Sequence, residues 1–204
     1  MNSNKNLSEP MDEIKSLNVI KEMIRISQKK IRNDGILFIV WGWISFVNYF
    51  FLNYLTEILL FPHNIMQILR SLRVILPLAG IVYTLYYVLQ ERKKVQTYIG
   101  ISLRYVWISL IVSLVLVNLI QNNVMHSINF ELQHPIFMVL IAFAITVTGG
   151  ILRYRLIIWG GILFGFLALV ASWMGLKEQL LVEAIAWLIA FVIPGHILYS
   201  KRKS

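Results

Sequence analysis

Cysteine is absent from the 204 residues, which removes disulfides, thiol nucleophiles and thiolate-held metals together. Aspartate is nearly absent. Asp12 and Asp34 both precede the first apolar stretch, so a pair of aspartates sharing a proton within a membrane is excluded. Charged residues make up 14% of the chain against 58% hydrophobic, and the mean hydropathy is +0.69. That balance leaves too little polar surface to keep a globule of this size in water. The chain also lacks the HExxH, GxSxG and GxxxxGK[ST] signatures of zinc proteases, serine hydrolases and phosphate-binding loops. No loop between apolar stretches is long enough for a separate catalytic domain, so neither an enzyme activity nor a cofactor is expected.

What the chain has in quantity is long apolar runs. A hydrocarbon core about 30 Å thick needs about 20 helical residues to cross it. Six such runs are read at 36–60, 74–89, 103–120, 135–152, 156–174 and 180–199. All are expected to be helices, because a backbone in lipid must satisfy its own hydrogen bonds. The second run is the shortest and contains Pro77. The expected fold class is therefore all-α: a six-helix transmembrane domain over 35–200, preceded by a segment 1–34 with an amphipathic interfacial helix and followed by a basic tail, 201–204.

Basic residues set the expected orientation. Lys5 to Arg32, Arg92, Lys93, Lys94, Arg104, Arg153, Arg155 and Lys201, Arg202 and Lys203 fall at one end of the runs, and only Arg70, Arg73 and Lys177 at the other. The positive-inside rule then puts both termini in the cytoplasm, as an even number of spans requires. The formal charge of +9 reads as membrane anchoring rather than nucleic-acid binding, since the cations sit beside apolar runs. The expected location is the cytoplasmic (inner) membrane.

Ahead of the first run, Ile14, Leu17, Ile20, Ile24 and Ile31 recur near helical spacing, with Lys15, Lys21, Arg25, Lys29 and Lys30 between them. This is the pattern of a basic amphipathic helix. It would lie on anionic headgroups, or dock a membrane or cytoplasmic protein partner through its isoleucine stripe.

Within the runs, tryptophans at 41, 43, 107, 159, 173 and 187 are expected as interfacial belts. Gly149, Gly150, Gly161 and Gly165 are expected to let helices approach closely, within the chain or across a homo-oligomer seam. Asn48, Asn53, Asn118, Thr84, Thr146 and Thr148 can bond between helices. Glu183 stands out as a carboxylate about one turn inside the sixth run, with Arg70, Arg73 and Lys177 as expected partners. At the opposite end, Arg104 is expected to reach headgroups. His196 follows Pro194 and Gly195, where a broken helix end would offer it carbonyls. Glu183, Asn48, Asn118, Arg104 and His196 are thus the candidate intramembrane polar site. His63, His126 and His134 fall in loops on one side with Glu57 and Glu131 near, but their spacing presents no ligand pair on one helical face, and no metal is expected.

The segments Ile31-Arg32-Asn33-Asp34-Gly35, Phe38-Ile39-Val40-Trp41-Gly42-Trp43 and Ile193-Pro194-Gly195-His196-Ile197-Leu198, with the basic tail, resemble a loose family of small six-span bacterial inner-membrane proteins of unassigned function. The resemblance implies no substrate, cofactor or catalytic residue. Two functions are expected: a non-enzymatic accessory or regulatory membrane protein, or a small-solute transporter, oligomeric because six helices enclose a narrow interior.

Overall fold

Where long apolar runs sit in lipid, the backbone can satisfy its polar groups only inside helices or a closed barrel. Every regular element among the described residues is helical. The computed structural model describes residues 15–23, 35–59, 61–92 and 98–200. Helix α1 covers 15–23. Helix α2 runs as Ile36–Phe46, a π-helical segment Val47–Tyr54 and a closing turn Leu55–Ile58. Then follow α3 (His63–Arg92), α4 (Tyr98–Met125), α5 (Phe130–Leu152), α6 (Arg155–Ala171) and α7 (Leu176–Ser200), the last with a π-helical turn at Leu188–Val192. Five of these, α2, α3, α4, α5 and α7, are long and apolar enough to cross a bilayer, and α6 is a shorter apolar helix of 17 residues. The chain is a multi-pass membrane protein.

The second run is not short. Helix α3 is 30 residues long with Pro77 inside it, about 45 Å at 1.5 Å per residue. Arg70 and Arg73, expected in a loop, therefore lie on a helix. The apolar window located the span, but the polar stretch from His63 continues the same hydrogen-bond ladder.

Helices α2, α5, α6 and α7 form the packed body. Over their most apolar 18 residues, α5 is 50% and α7 56% buried, against 6% for each of α3 and α4. Helix α3 leans on α2, and α4 leans on α5. Met138, Ile145, Phe164, Ala190 and Phe191 fill the middle of the body at 2% exposure or less. Trp187 belongs to this core, 4.5 Å between ring centroids from Phe191 and 5.6 Å from Phe164. Its expected place in an interfacial belt is corrected: one stripe of α7 faces the body along its whole length, and that stripe includes position 187. Trp159 and Trp173 are exposed as a belt requires.

Glycine sets the closest approaches. A Cβ on Gly161 would strike the hydroxyl and backbone nitrogen of Thr146, and one on Gly149 would lie 2.7 Å from the Ile158 nitrogen. The α5–α6 seam is therefore built within the chain, as small-residue packing predicts. Gly150, by contrast, has nothing within 4 Å of its Cβ position.

The start of α2 and the end of α7 also meet. Gly35 adopts a positive φ of 46°, and a Cβ there would lie 2.7 Å from Gly195 O. Gly42 abuts Val192 and Phe191, Gly195 abuts Ile39, and Phe38 packs on Phe191 at 5.4 Å. The motifs that carry the family resemblance are thus mostly two faces of one α2–α7 contact.

Candidate functional site

Proline lacks an N–H, so each proline within a helix frees the carbonyl four residues before it. Pro77 frees Arg73 O, and Asn48 Nδ2 donates to that oxygen at 3.1 Å. Pro135 frees Glu131 O, and Gln179 Nε2 donates to it at 3.0 Å. Pro194 frees Ala190 O, over which Gly160 passes so closely that a Cβ would sit 3.5 Å away. In lipid, an unmet carbonyl costs several kcal/mol by transfer. Asn48 and Gln179 thus each meet a proline-freed carbonyl across a helix contact.

The π-helical stretch of α2 is held in a similar way. The Arg73 guanidinium donates to Leu52 O and to Thr56 Oγ1. Thr56 donates on to Leu52 O and Asn53 O at 2.8 Å, while Asn53 Nδ2 donates to the oxygens of Asn48 at 2.8 Å. Wide π turns misalign backbone carbonyls. Here side chains of α2 and α3 meet them.

Glu183 is fully buried, and its partner is His134. The imidazole Nδ1 lies 2.8 Å from Glu183 Oε2, a hydrogen bond that joins α5 to α7. Tyr49 stands edge-on to the His134 ring at 5.9 Å, with its phenol against the same carboxylate. Both expectations here are corrected. Arg73 is committed to α2, so neither it nor a loop cation supplies the partner. His134 is not in a loop: Asn129 caps α5 by accepting from the Leu132 N–H at 3.1 Å, which starts the helix five residues before His134. The Asn129 cap, with Glu131 in the first turn, was the available signal.

The remaining candidates lie elsewhere. Asn118 Oδ1 accepts from Gln133 Nε2 at 2.7 Å, joining α4 to α5. Arg104 and His196 lie at the opposite end, near the chain termini. Arg104 Nε faces Gly100 O of its own helix at 3.4 Å. His196 finds no broken helix end, because α7 continues through Pro194. Instead its Nε2 accepts from the Trp43 indole at 3.2 Å. Trp41 similarly donates to Thr84 at 2.8 Å, tying α2 to α3.

Asn48, Asn118 and Glu183 make separate hydrogen bonds, Arg104 and His196 lie at the other end, and the group that converges is Tyr49, His134 and Glu183 at the junction of α2, α5 and α7. Beside it, Gln179 Oε1 is a buried acceptor with no hydrogen-bond donor. His63 pairs with Gln67 at 3.1 Å, and no cluster among the described residues gathers three or more metal-ligating side chains. Of the basic amphipathic stripe, Leu17, Ile20 and Lys21 lie on α1, where Leu17 and Ile20 are exposed. Ile14, Ile24, Arg25, Lys29 and Lys30 lie outside the described residues. Comparison with known protein families, with curated proteins and with solved structures finds no match to this chain.

Proposed function

We propose that this is a six-span protein of the bacterial cytoplasmic membrane, with both termini inside, that works as a non-enzymatic accessory or regulatory subunit. The sixth span is α6, about 25 Å long at 1.5 Å per residue. Its ladder is prolonged by Ser172 N to Ala168 O at 3.1 Å and Met174 N to Ala171 O at 3.0 Å.

One observation carries the accessory reading. Polar groups cluster near the two ends of the body, and between them Met138, Ile145, Phe164, Ala190 and Phe191 are packed at 2% exposure or less. A body packed this closely across its middle supports a protein that acts by contact. The contacts available are the basic amphipathic segment ahead of α2 and the basic turns at the same end, which suit a partner's acidic surface or the lipid face.

Affinity purification in mild detergent followed by native mass spectrometry tests this. A stoichiometric second protein that is lost when residues 1–30 are deleted is the expected result. A chain that purifies alone with an unchanged mutant phenotype contradicts it.

The transporter reading keeps one supporting observation, the buried Glu183–His134 pair, because ionisable groups at membrane depth often mark a route. Under that reading Glu183→Gln abolishes uptake while the protein still accumulates in the membrane, and undiminished uptake overturns it.

A further inference from the structure

The hydrogen bond between His134 Nδ1 and Glu183 Oε2, 2.8 Å long, needs a proton between the two atoms. With that proton alone the pair carries one negative charge. With a second proton it is neutral, whichever of the two groups holds it.

The charge is lodged where it is costly. The Glu183 side chain has no exposed surface, and a net charge taken out of water destabilises unless a counter-charge meets it. His134 is the ion-pair partner that the described residues give Glu183. The titratable groups around the pair come from every element of this end of the body. From α2 comes the Tyr49 phenol, which hydrogen-bonds with the same carboxylate. Helix α5 adds Glu131, exposed one turn before His134, and the first turn of α7 adds Lys177 and Glu178, both exposed. Helix α3, packed on α2, adds Arg73, which donates to Leu52 and Thr56. The titratable residue of α6 is Arg155, at the far end of that helix. The imidazole is the exposed member of the pair, at 19% of its side-chain surface. It sits about 6 Å along α5 from Phe130, the first residue of the helix, at 1.5 Å per residue. Protons from that end of the body are within its reach.

We propose that His134 and Glu183 form a proton-dependent latch: with two protons the pair holds the Leu176–Trp187 stretch of α7 against α5, and with one it loosens that contact. The inference rests on neither the accessory nor the transporter reading. Gln179 ties the same stretch to Glu131 O at 3.0 Å and does not titrate, so the stretch loosens without leaving the body. The direction of the pH response follows from counting protons. In water a free imidazole takes up its proton at about pH 6.5 and a free carboxylate at about 4.3, so once apart the two groups hold two protons just below about pH 6.5 and one above it. Packed together, they are neutral only with two. Stability from the latch is therefore complete below about pH 6.5 and is lost as pH rises, by at most about tenfold per pH unit in the folding equilibrium constant.

Unfolding of the full-length protein in mixed detergent micelles, followed by circular dichroism from about pH 5.5 to about 8.5, tests this on both sides of the free imidazole value. The double variant His134→Gln with Glu183→Gln keeps an amide-to-amide tie and removes both titrations. Relative to it, wild type is expected to lose stability as pH rises, by up to about tenfold per pH unit. Glu183→Gln alone should show the opposite trend and lose stability as pH falls, because its neutral form is the one with fewer protons. Glu178→Gln, at an exposed carboxylate of the same helix, should keep the wild-type slope. Hydrogen–deuterium exchange of wild type, corrected for the intrinsic rate at each pH, needs no variant to fold: protection of residues 176–187 should fall with rising pH while that of 136–152 holds. Parallel pH profiles for wild type and the double variant, a wild type that gains stability relative to that variant as pH rises, or equal changes in protection of the two segments would each overturn the latch.

Discussion

Helices α4 and α5 are almost equally hydrophobic and adjacent in the chain, yet over their most apolar 18 residues 6% of one and 50% of the other is buried. In water such a contrast would be unusual, because apolar area is what drives burial. In lipid the apolar surface of α4 already has a suitable solvent, and hydrophobicity no longer chooses between core and periphery. What distinguishes α5 is Gly149, which admits the α6 backbone at Ile158, together with Ala142 and Thr146, against which Gly161 of α6 seats. Close backbone approach and satisfied polar groups decide which helices form the body.

Substitutions can break that contrast in graded steps. The largest effect is expected at the α5–α6 seam. Gly161→Ala forces a Cβ onto Thr146 and should cost about 3 kcal/mol despite the better helix propensity of alanine. Gly150→Ala meets nothing and should stabilise by up to about 1 kcal/mol. Both are read from unfolding in mixed detergent micelles followed by circular dichroism. Equal effects at the two glycines would mean that α5 and α6 do not pack as described.

A smaller effect is expected at the buried pair. Glu183→Gln disturbs the buried hydrogen bond to His134 and should cost about 2 kcal/mol. Glu178→Gln, on the exposed first turn of the same helix, should stay within about 0.5 kcal/mol. The same unfolding assay separates them.

The smallest concerns the flanking helix. Asn48→Ala should cost about 0.6 kcal/mol, the typical worth of a polar contact between membrane helices. In a Pro77→Ala background, Arg73 O regains its own N–H donor and that cost should vanish. A double-mutant cycle with no coupling between positions 48 and 77 would refute the proposed pairing.

Much of this architecture was legible in the sequence. Apolar run length located every long helix, because the bilayer sets a minimum length that composition reveals directly. The α3 start escaped it, since hydropathy ends where the lipid ends and the helix at His63 does not. Partners were harder to read. Asn48 and Glu183 looked alike as polar groups at depth, yet one meets a proline-freed carbonyl and the other a histidine. Counting four residues back from Pro77 and Pro135 would have identified the carbonyls that need a donor, though not the side chains that supply it. Gln179 was overlooked because a glutamine near a helix start draws no attention without its partner. The π-helical turns of α2 and α7 were not legible in the apolar pattern, which does not distinguish α from π turns.

The sealed middle of the body can be tested most directly because the chain has no cysteine. Single Ala144→Cys, Ala186→Cys and Ala190→Cys variants, each at a position with 2% exposure or less, would be treated in membrane vesicles with a small impermeant maleimide from either side. Ser127→Cys and Ser172→Cys, in exposed turns, serve as reactive references. The account predicts full labelling of the two references and none of the three interior positions. Labelling of an interior position from water would reveal an aqueous route through the body and contradict a protein that works by contact alone.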